Sequence, residues 1–268
     1  MKSRTPEGAA GLTSIREHPD GAVIALDFDG VLSPIVDNPE DARAHPDAPA
    51  VLARLAGLVN AVVIITGRPA ALAVELGGFS DVSGLVVLGQ YGAERWDSGA
   101  LHSPEPPPGV AEVRAKLPKV LEALGAPEGT AIEDKGRALA VHTRRTAEPQ
   151  VALDRLRGVV EALAERTGLT VEPGRYVLEL RPPGMDKGAA LVSFVAERSA
   201  KAVLYAGDDL GDLPAYDAVD ELRGQGIAGV TVCSSSDEVT ALAERADVVV
   251  DGPDGVVRLL AELAAILS

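Results

Sequence analysis

The chain has 268 residues, of which 46% are hydrophobic and 24% are charged, and this composition excludes an intrinsically disordered protein. The single cysteine excludes a disulfide framework and a cysteine-rich zinc site, and the length predicts one large domain or two smaller ones. The formal net charge of −15, the lack of a Lys/Arg run and the 3% aromatic content argue against nucleic acids and anionic membranes as partners.

The first segment, residues 1–20, has no apolar core of the kind that secretory signal peptides contain. No uninterrupted apolar stretch in the sequence approaches the roughly 18 residues of a membrane-spanning helix. We therefore expect a cytoplasmic protein. The one cysteine, Cys233, is expected to be a small core residue.

Short apolar runs without polar alternation are typical of strands buried on both faces. Six such runs occur, at residues 22–26, 62–65, 85–88, 202–206, 230–232 and 248–250. Helical stretches lie between them, at residues 49–59, 69–76, 187–198 and 255–267. Pro49 and Pro69 suit the first turn of a helix. The alternation predicts an α/β protein whose parallel sheet is covered by helices on both faces.

The middle of the chain has a different pattern, between two proline-rich segments at residues 103–109 and 181–184. A unit of one helix and two strands occurs there twice. The predicted helices are residues 110–124 and 149–166, and the predicted strands are 131–134, 138–143, 169–172 and 176–180. We interpret residues 105–182 as an inserted α+β domain, an antiparallel sheet backed by two helices, within a core formed by residues 1–104 and 183–268. A single long domain with decorations is the alternative.

Acidic residues follow two of the predicted core strands. Asp27 and Asp29 come after the first run, and Asp208, Asp209 and Asp212 come after the run at 202–206. In open parallel sheets ligands bind at the carboxyl ends of the strands, so these side chains are expected to meet. Burying carboxylates together is costly unless a cation compensates them, and oxygen ligands suit Mg²⁺. For the first segment alone, an acidic helix-capping turn is the alternative.

Two further segments supply groups that bind anions. Thr66-Gly67-Arg68 follows a strand and opens a helix, where a hydroxyl and free N–H groups form an anion site. Lys187 lies at another predicted helix start and can bind phosphate as a point charge. A simple helix cap and a surface lysine are the respective alternatives.

The set Asp27/Asp29, Thr66, Lys187 and Asp208/Asp209 with Asp212 resembles, in this order, the four motifs of haloacid-dehalogenase (HAD)-type phosphatases. The resemblance implies a Rossmann-like core with an inserted cap domain. It also implies that Asp27 is the nucleophile, which forms an aspartyl-phosphate, and that Asp29 is the general acid and base.

The same resemblance implies a Mg²⁺ site and a phosphate site. By this resemblance the ion would be held by the Asp27 carboxylate, the Asp29 backbone carbonyl and Asp208, with Asp209 and Asp212 in support. The implied phosphate-binding residues are Thr66, Gly67, Arg68 and Lys187.

Strand alternation in the insert collects charged side chains on one face of its sheet. We predict that this face consists of Glu133, Lys135, His142, Arg144, Glu179 and Arg181, with small alanines that leave room. Such a mixed-charge face suits a polyhydroxylated ligand, because its groups hydrogen-bond hydroxyls. A solvated antiparallel face is the alternative.

Three segments of the insert, residues 132–135, 141–144 and 174–182, resemble the cap motifs of trehalose-6-phosphate phosphatases, as do residues 32–35 and 91–94 of the core. The similarity runs from about residue 22 to the C-terminus. It implies Mg²⁺-dependent hydrolysis of trehalose 6-phosphate, with Glu133, Lys135 and Glu179 as sugar contacts. A trehalose-6-phosphate synthase is an implied possible partner. The alternatives are the same chemistry on sucrose 6-phosphate or a glycosyl-phosphoglycerate, and a non-catalytic sugar-phosphate sensor.

Overall fold

The computed structural model describes residues 2–36, 38–235 and 240–268. It divides the chain into two compact units, one formed by Met1–Ser103 and Asp186–Ser268, the other by Pro104–Met185. The predicted fold class, an α/β core with a separate antiparallel α+β unit, is confirmed.

The described residues form the following strands and helices. The strands are β1 (Ala22–Leu26), β2 (Ala61–Ile65), β3 (Leu85–Gly89), β4 (Glu94–Asp97), β5 (Ala100–His102), β6 (Ala131–Asp134), β7 (Leu139–His142), β8 (Thr170–Gly174), β9 (Val177–Arg181), β10 (Ala202–Gly207), β11 (Ala228–Ser235) and β12 (Val248–Asp251). The helices are α1 (Pro6–Glu17), α2 (Ala48–Ala56), α3 (Ala70–Gly77), α4 (Pro108–Ala123), α5 (Pro149–Arg166), α6 (Lys187–Glu197), α7 (Leu213–Gly224), α8 (Thr240–Arg245) and α9 (Gly252–Leu267).

The sheet of the larger unit has the strand order β12-β11-β10-β1-β2-β3-β4-β5. The six predicted strands pair in parallel, whereas β4 and β5 add an antiparallel edge that the sequence reasoning missed. The residues of β4 are largely polar and those of β5 are exposed, so neither strand has the apolar run that identified the others. Pro69 precedes α3 instead of starting it.

Successive residues of the central strands face two different apolar layers. Ile24 and Leu26 of β1 belong to the layer packed with α2, α3 and α9, and Val23 and Ala25 belong to the layer packed with α6 and α7. Cys233 is buried in the second layer, as predicted for a small core residue. The two layers fix the sheet, and with it the positions of the loops that follow its strands.

The smaller unit has a four-stranded antiparallel sheet with the order β6-β7-β9-β8. Helices α4 and α5 cover one face of it. This face contributes Leu139, Val141, Leu178 and Leu180 to an apolar cluster with residues of both helices. The opposite face therefore carries the polar side chains of the same strands.

None of the helices in the described ranges combines the length and the apolarity that crossing a membrane would require.

Candidate active site

The loops after β1 and β10 meet at the carboxyl edge of the larger sheet. Asp27 follows β1 and Asp208 follows β10, and the two strands are parallel neighbours with Leu26 opposite Ala206. The Asp27 N–H donates to the Ala206 carbonyl at 2.9 Å. Gly30 has φ +70°, and a Cβ there would stand 1.9 Å from Oδ2 of Asp208. The absence of a side chain at Gly30 therefore lets the first loop lie against the Asp208 carboxylate.

Three buried aspartates form a carboxylate cluster at this edge. One oxygen each from Asp27, Asp208 and Asp212 lies within 4.8 Å of the other two. Burial raises the pKa of Asp27 to about 8, with Lys187 opposing the rise and Asp212 adding to it. Burial also raises the pKa of Asp208 to about 9, and the charges of Asp27 and Asp212 add to this rise. In the absence of a cation, the ionised forms of Asp27 and Asp208 are therefore unfavourable in the folded protein.

Lys187 is the cation that the fold places against this cluster. It is the first residue of α6, whose N-cap residue Asp186 accepts a hydrogen bond from the Ala189 N–H at 2.8 Å. The Nζ atom lies 2.8 Å from Oδ2 of Asp27 and 2.8 Å from Oδ1 of Asp212. Burial lowers the pKa of Lys187, but the two carboxylates outweigh it and hold the pKa well above its usual value. Lys187 is therefore charged.

Asp212 is fully buried and accepts four hydrogen bonds. Its Oδ1 accepts from Lys187 Nζ at 2.8 Å and from the Tyr205 hydroxyl at 2.5 Å. Its Oδ2 accepts from the N–H groups of Asp208 at 2.9 Å and Asp209 at 3.2 Å. The sequence reasoning missed Tyr205, although a tyrosine within an otherwise apolar strand was a signal that its hydroxyl needs a buried partner.

The carboxylates of Asp29 and Asp209, predicted to contribute a backbone carbonyl and support to the metal site, are not part of the cluster and accept hydrogen bonds from other groups. Both oxygens of Asp29 accept from Arg68, from Nε and Nη2 at 2.7 Å each. Arg68 also donates to the Pro39 carbonyl at 2.9 Å. Asp209 accepts from the Gly211 N–H at 2.9 Å and so caps its own turn. Arg68, predicted to bind phosphate, is therefore the partner of the Asp29 carboxylate in this structure.

Thr66 follows β2 and is buried. Its hydroxyl oxygen accepts the Arg68 N–H at 3.1 Å. A Cβ at Gly67 would stand 2.8 Å from the Tyr91 hydroxyl, so a side chain at Gly67 would force a local shift. The first N–H of α3, at Ala70, donates to Glu94 at 2.9 Å, a contact that the sequence reasoning did not foresee. One of the N–H groups near this helix start is therefore already satisfied by a carboxylate.

The cluster of Asp27, Asp208 and Asp212 fits a divalent metal ion. Carboxylate oxygens are hard ligands of the type that Mg²⁺ prefers. The Asp208 carboxylate is buried beside those of Asp27 and Asp212. A cation there would offset the repulsion among the three carboxylates.

We expect the stability of the metal-free protein to fall as the pH rises from about 4 to about 9. The carboxyls of Asp27 and Asp208 have a usual pKa of 3.8, whereas the folded values are about 8 and about 9. The folded chain then binds more protons than the unfolded chain across this window, so the free energy of unfolding decreases with pH. Thermal melts in a chelator measure this slope. A Tm that stays constant or rises across the window would contradict the buried cluster.

The register of the smaller sheet aligns Glu133, Ala140 and Glu179 on the face opposite the helices. Lys135 Nζ lies 2.5 Å from Oε2 of Glu179, and His142 Nε2 lies 2.8 Å from Oε2 of Glu133. Oε1 of Glu179 is buried and has no hydrogen-bond partner among the described residues. This face therefore contains a carboxylate oxygen that still needs a donor.

The two arginines predicted on this face, Arg181 and Arg144, differ in burial. Arg181 donates to Glu172 at 2.7 Å and is buried, whereas Arg144 is exposed. Ala138 and Ala140, expected to leave an open surface, are 5% and 0% exposed. The face is therefore less open than the sequence suggested.

Fold and site together define the class of fold: a sheet of mainly parallel strands, an acidic cluster at its strand ends and an inserted α+β unit. A haloacid dehalogenase-like hydrolase from Bacteroides thetaiotaomicron has a similar fold, with a TM-score of 0.62 at 18% identity over 90% of this chain and 99% of that one. The family model for trehalose-phosphatase matches residues 25–249. The chain therefore belongs to the trehalose-phosphatase family.

Two known relatives of this chain are longer proteins. It is 36% identical over 218 residues to an uncharacterized glycosyl hydrolase of Mycobacterium tuberculosis, covering 76% of this chain and 16% of that protein. It is 35% identical over 233 residues to a trehalose-phosphate phosphatase of Mycolicibacterium paratuberculosis, covering 84% and 56%. The chain thus spans a sixth and about half of the lengths of these two relatives. The C-terminal domain of the trehalose-6-phosphate phosphatase of C. albicans has a similar fold, with a TM-score of 0.75 at 19% identity over 99% of this chain and 98% of that one.

Proposed function

We propose that this chain is a Mg²⁺-dependent phosphatase that hydrolyses trehalose 6-phosphate to trehalose and phosphate through an aspartyl-phosphate on Asp27. One observation carries the proposal. The buried Nζ of Lys187 joins Asp27 to Asp212 at 2.8 Å each, within a carboxylate cluster at the strand ends of a trehalose-phosphatase-family fold.

The metal would be held by Asp27, Asp208 and Asp212, whose oxygens lie together. When bound, Mg²⁺ neutralises charge on the transferring phosphoryl group. The phosphate itself would be held by Thr66, Arg68, Lys187 and the N–H groups around Gly67. A local positive site is needed because the formal charge of the whole chain is −15.

In the first step an oxygen of Asp27 attacks phosphorus. The bond from the carboxylate to phosphorus forms as the bond from phosphorus to the sugar oxygen breaks, and Asp29 supplies the proton to that oxygen. Lys187 contacts Oδ2 of Asp27 at 2.8 Å and so fixes the orientation of the attacking carboxylate.

Asp29 cannot present a proton while both of its oxygens accept from Arg68 at 2.7 Å. The phosphate dianion competes for the guanidinium, because bidentate binding of phosphate and of carboxylate uses the same donors. We therefore expect Arg68 to leave Asp29 and to bind the phosphate as the substrate binds. This exchange agrees with the predicted contact of Arg68 with phosphate and with its observed contact with Asp29.

In the second step water attacks phosphorus, and Asp29 takes the proton from that water. The bond from phosphorus to Asp27 breaks, inorganic phosphate forms and the Asp27 carboxylate is restored.

The polar face of the smaller sheet would bind the trehalose hydroxyls. Residues 104–185 contain twelve acidic and twelve basic side chains, so the whole formal charge of −15 belongs to the larger unit. A neutral unit with paired charges is suited to a neutral polyol. The proposed contacts are Glu133, Lys135, His142, Arg144, Glu179 and Arg181.

The proposal is tested by phosphate release from a panel of sugar phosphates with Mg²⁺ present. Trehalose 6-phosphate is expected to have the highest kcat/KM, and chelation is expected to stop release. A clear preference for sucrose 6-phosphate or a glycosyl-phosphoglycerate would overturn the substrate assignment. Binding of trehalose 6-phosphate without turnover would overturn the enzymatic assignment.

The Glu179→Gln variant is expected to lower kcat/KM for trehalose 6-phosphate by about 10–100-fold. The buried Oε1 of Glu179 has no donor among the described residues, so a sugar hydroxyl is its expected partner. Hydrolysis of a small aryl phosphate, which has no sugar, is expected to change less than about twofold, since it makes no such contact.

The matched control for this experiment is Glu165→Gln, an exposed glutamate on α5 of the same unit. It should leave both substrates unaffected. Equal losses on both substrates in Glu179→Gln would argue against a sugar contact.

A further inference from the structure

Tyr205 is a polar residue in the middle of an otherwise apolar strand. It lies on β10, opposite Ala25 of β1 and Thr231 of β11, and is fully buried. Leaving a hydroxyl without a partner at such a place costs about 1–3 kcal/mol. A phenylalanine would pack the same space without that cost, so the hydroxyl must be explained by its partner.

That partner is the carboxylate at the centre of the site. The Tyr205 hydroxyl donates to Oδ1 of Asp212 at 2.5 Å. The same oxygen accepts from Lys187 Nζ at 2.8 Å, and Nζ lies 2.8 Å from Asp27. The chain of contacts therefore runs from the strand interior through Asp212 and Lys187 to the proposed nucleophile.

We propose that Tyr205 is a positioning residue that fixes the orientation of the Asp212 carboxylate for the divalent cation. With the backbone N–H groups of Asp208 and Asp209 on Oδ2 and Tyr205 on Oδ1, each oxygen of Asp212 has a fixed donor. Groups that orient a metal ligand from behind set its affinity for the metal. The inference rests on the proposed function, because it assumes that the cluster binds the cation.

The structure offers a matched control in the neighbouring ring. Tyr216 packs against Tyr205 edge to face, with ring centroids 6.2 Å apart, and it is also buried. Its hydroxyl is buried as well but has no hydrogen-bond partner within the described part of the chain. Removing the two hydroxyls one at a time therefore separates the effect of a bond to Asp212 from the effect of altering this aromatic pair.

The test is the rise in Tm during a Mg²⁺ titration of the full chain, compared among wild type, Tyr205→Phe and Tyr216→Phe. We expect Tyr205→Phe to weaken the apparent Mg²⁺ affinity about tenfold, and Tyr216→Phe to leave it within about twofold of wild type. Mg²⁺ activation of phosphate release should shift by the same factor.

The outcomes distinguish failure of the positioning role of Tyr205 from failure of the proposed function. Equal Mg²⁺ affinities in wild type and Tyr205→Phe would overturn the positioning role while leaving the proposed function intact. Equal weakening in both variants would overturn it too, since the aromatic pair and not the bond to Asp212 would be responsible. A wild type that neither binds Mg²⁺ nor releases phosphate would overturn the proposed function and this inference with it.

A second measurement applies should Tyr205→Phe fail to fold. The chain has four tyrosines, so labelling with 3-fluorotyrosine gives four ¹⁹F resonances. Phenylalanine variants of the other three assign the Tyr205 signal by elimination. Mg²⁺ is expected to shift the Tyr205 resonance more than the Tyr216 resonance. A Tyr205 resonance that does not respond to saturating Mg²⁺ would overturn the inference.

Discussion

Asp27→Asn is expected to lower kcat for trehalose 6-phosphate by roughly four orders of magnitude or more while the protein stays folded. An asparagine amide has nearly the shape of the carboxylate but does not form the acyl phosphate on which both steps depend. Lys187 keeps its 2.8 Å contact with Asp212, so the site retains one of its two ion pairs. The substitution also removes one of three clustered buried carboxylates, and this reduces their mutual repulsion.

The comparison for Asp27→Asn is Asp81→Asn, the same change at an exposed position of the larger unit. Single-turnover rates and circular dichroism of both variants separate loss of chemistry from loss of fold. Asp81→Asn should match wild type in both. Substantial turnover by Asp27→Asn would show that another group attacks phosphorus.

Asp208→Asn is expected to change stability and activity in opposite directions. Burial and the charges of Asp27 and Asp212 raise the pKa of Asp208 to about 9, so its ionised form is unfavourable without a metal. Folding of the chelated wild type must protonate Asp208 at neutral pH or hold its charge at higher pH, and asparagine avoids both costs. The Tm of the chelated variant should therefore be higher at neutral to alkaline pH, by about 2–4 °C for each kcal/mol gained. The same change removes a metal ligand, and turnover should fall at least about a hundredfold.

Thermal melts with chelator and with Mg²⁺ measure both effects for Asp208→Asn. In wild type Mg²⁺ should raise the Tm, because the ion binds only the folded state, and in the variant this rise should largely disappear. A variant that is less stable than wild type in chelator would contradict the view that the three carboxylates repel one another.

Much of the site follows from chain order and sheet geometry. Asp27 and Asp208 could be placed together because each ends an apolar run, and parallel strand ends share an edge. Lys187 could be placed there only through the resemblance of the ordered motifs, since a lysine at a helix start carries no information about the strand end it faces. The structure puts it 2.8 Å from Asp27.

Other contacts were beyond sequence reasoning because they depend on side-chain direction and on weak strands. The pairing of Arg68 with Asp29 depends on how the loop after β2 meets the loop after β1. Glu94, which bonds the start of α3, lies on β4, a short polar strand without an apolar pattern. The hydrogen bond from Tyr205 to Asp212 could not be predicted, because the sequence does not show that the Asp212 carboxylate lies against β10.

The most direct test of the account is to trap the phosphorylated enzyme. Wild type is mixed with trehalose 6-phosphate labelled in its phosphate and Mg²⁺, quenched in acid within one turnover, and digested. We predict that the label is on the peptide containing Asp27, is released by hydroxylamine as an acyl phosphate, and is absent in Asp27→Asn and in chelator. Turnover with no label on that peptide, or a label on a different residue, would contradict the account.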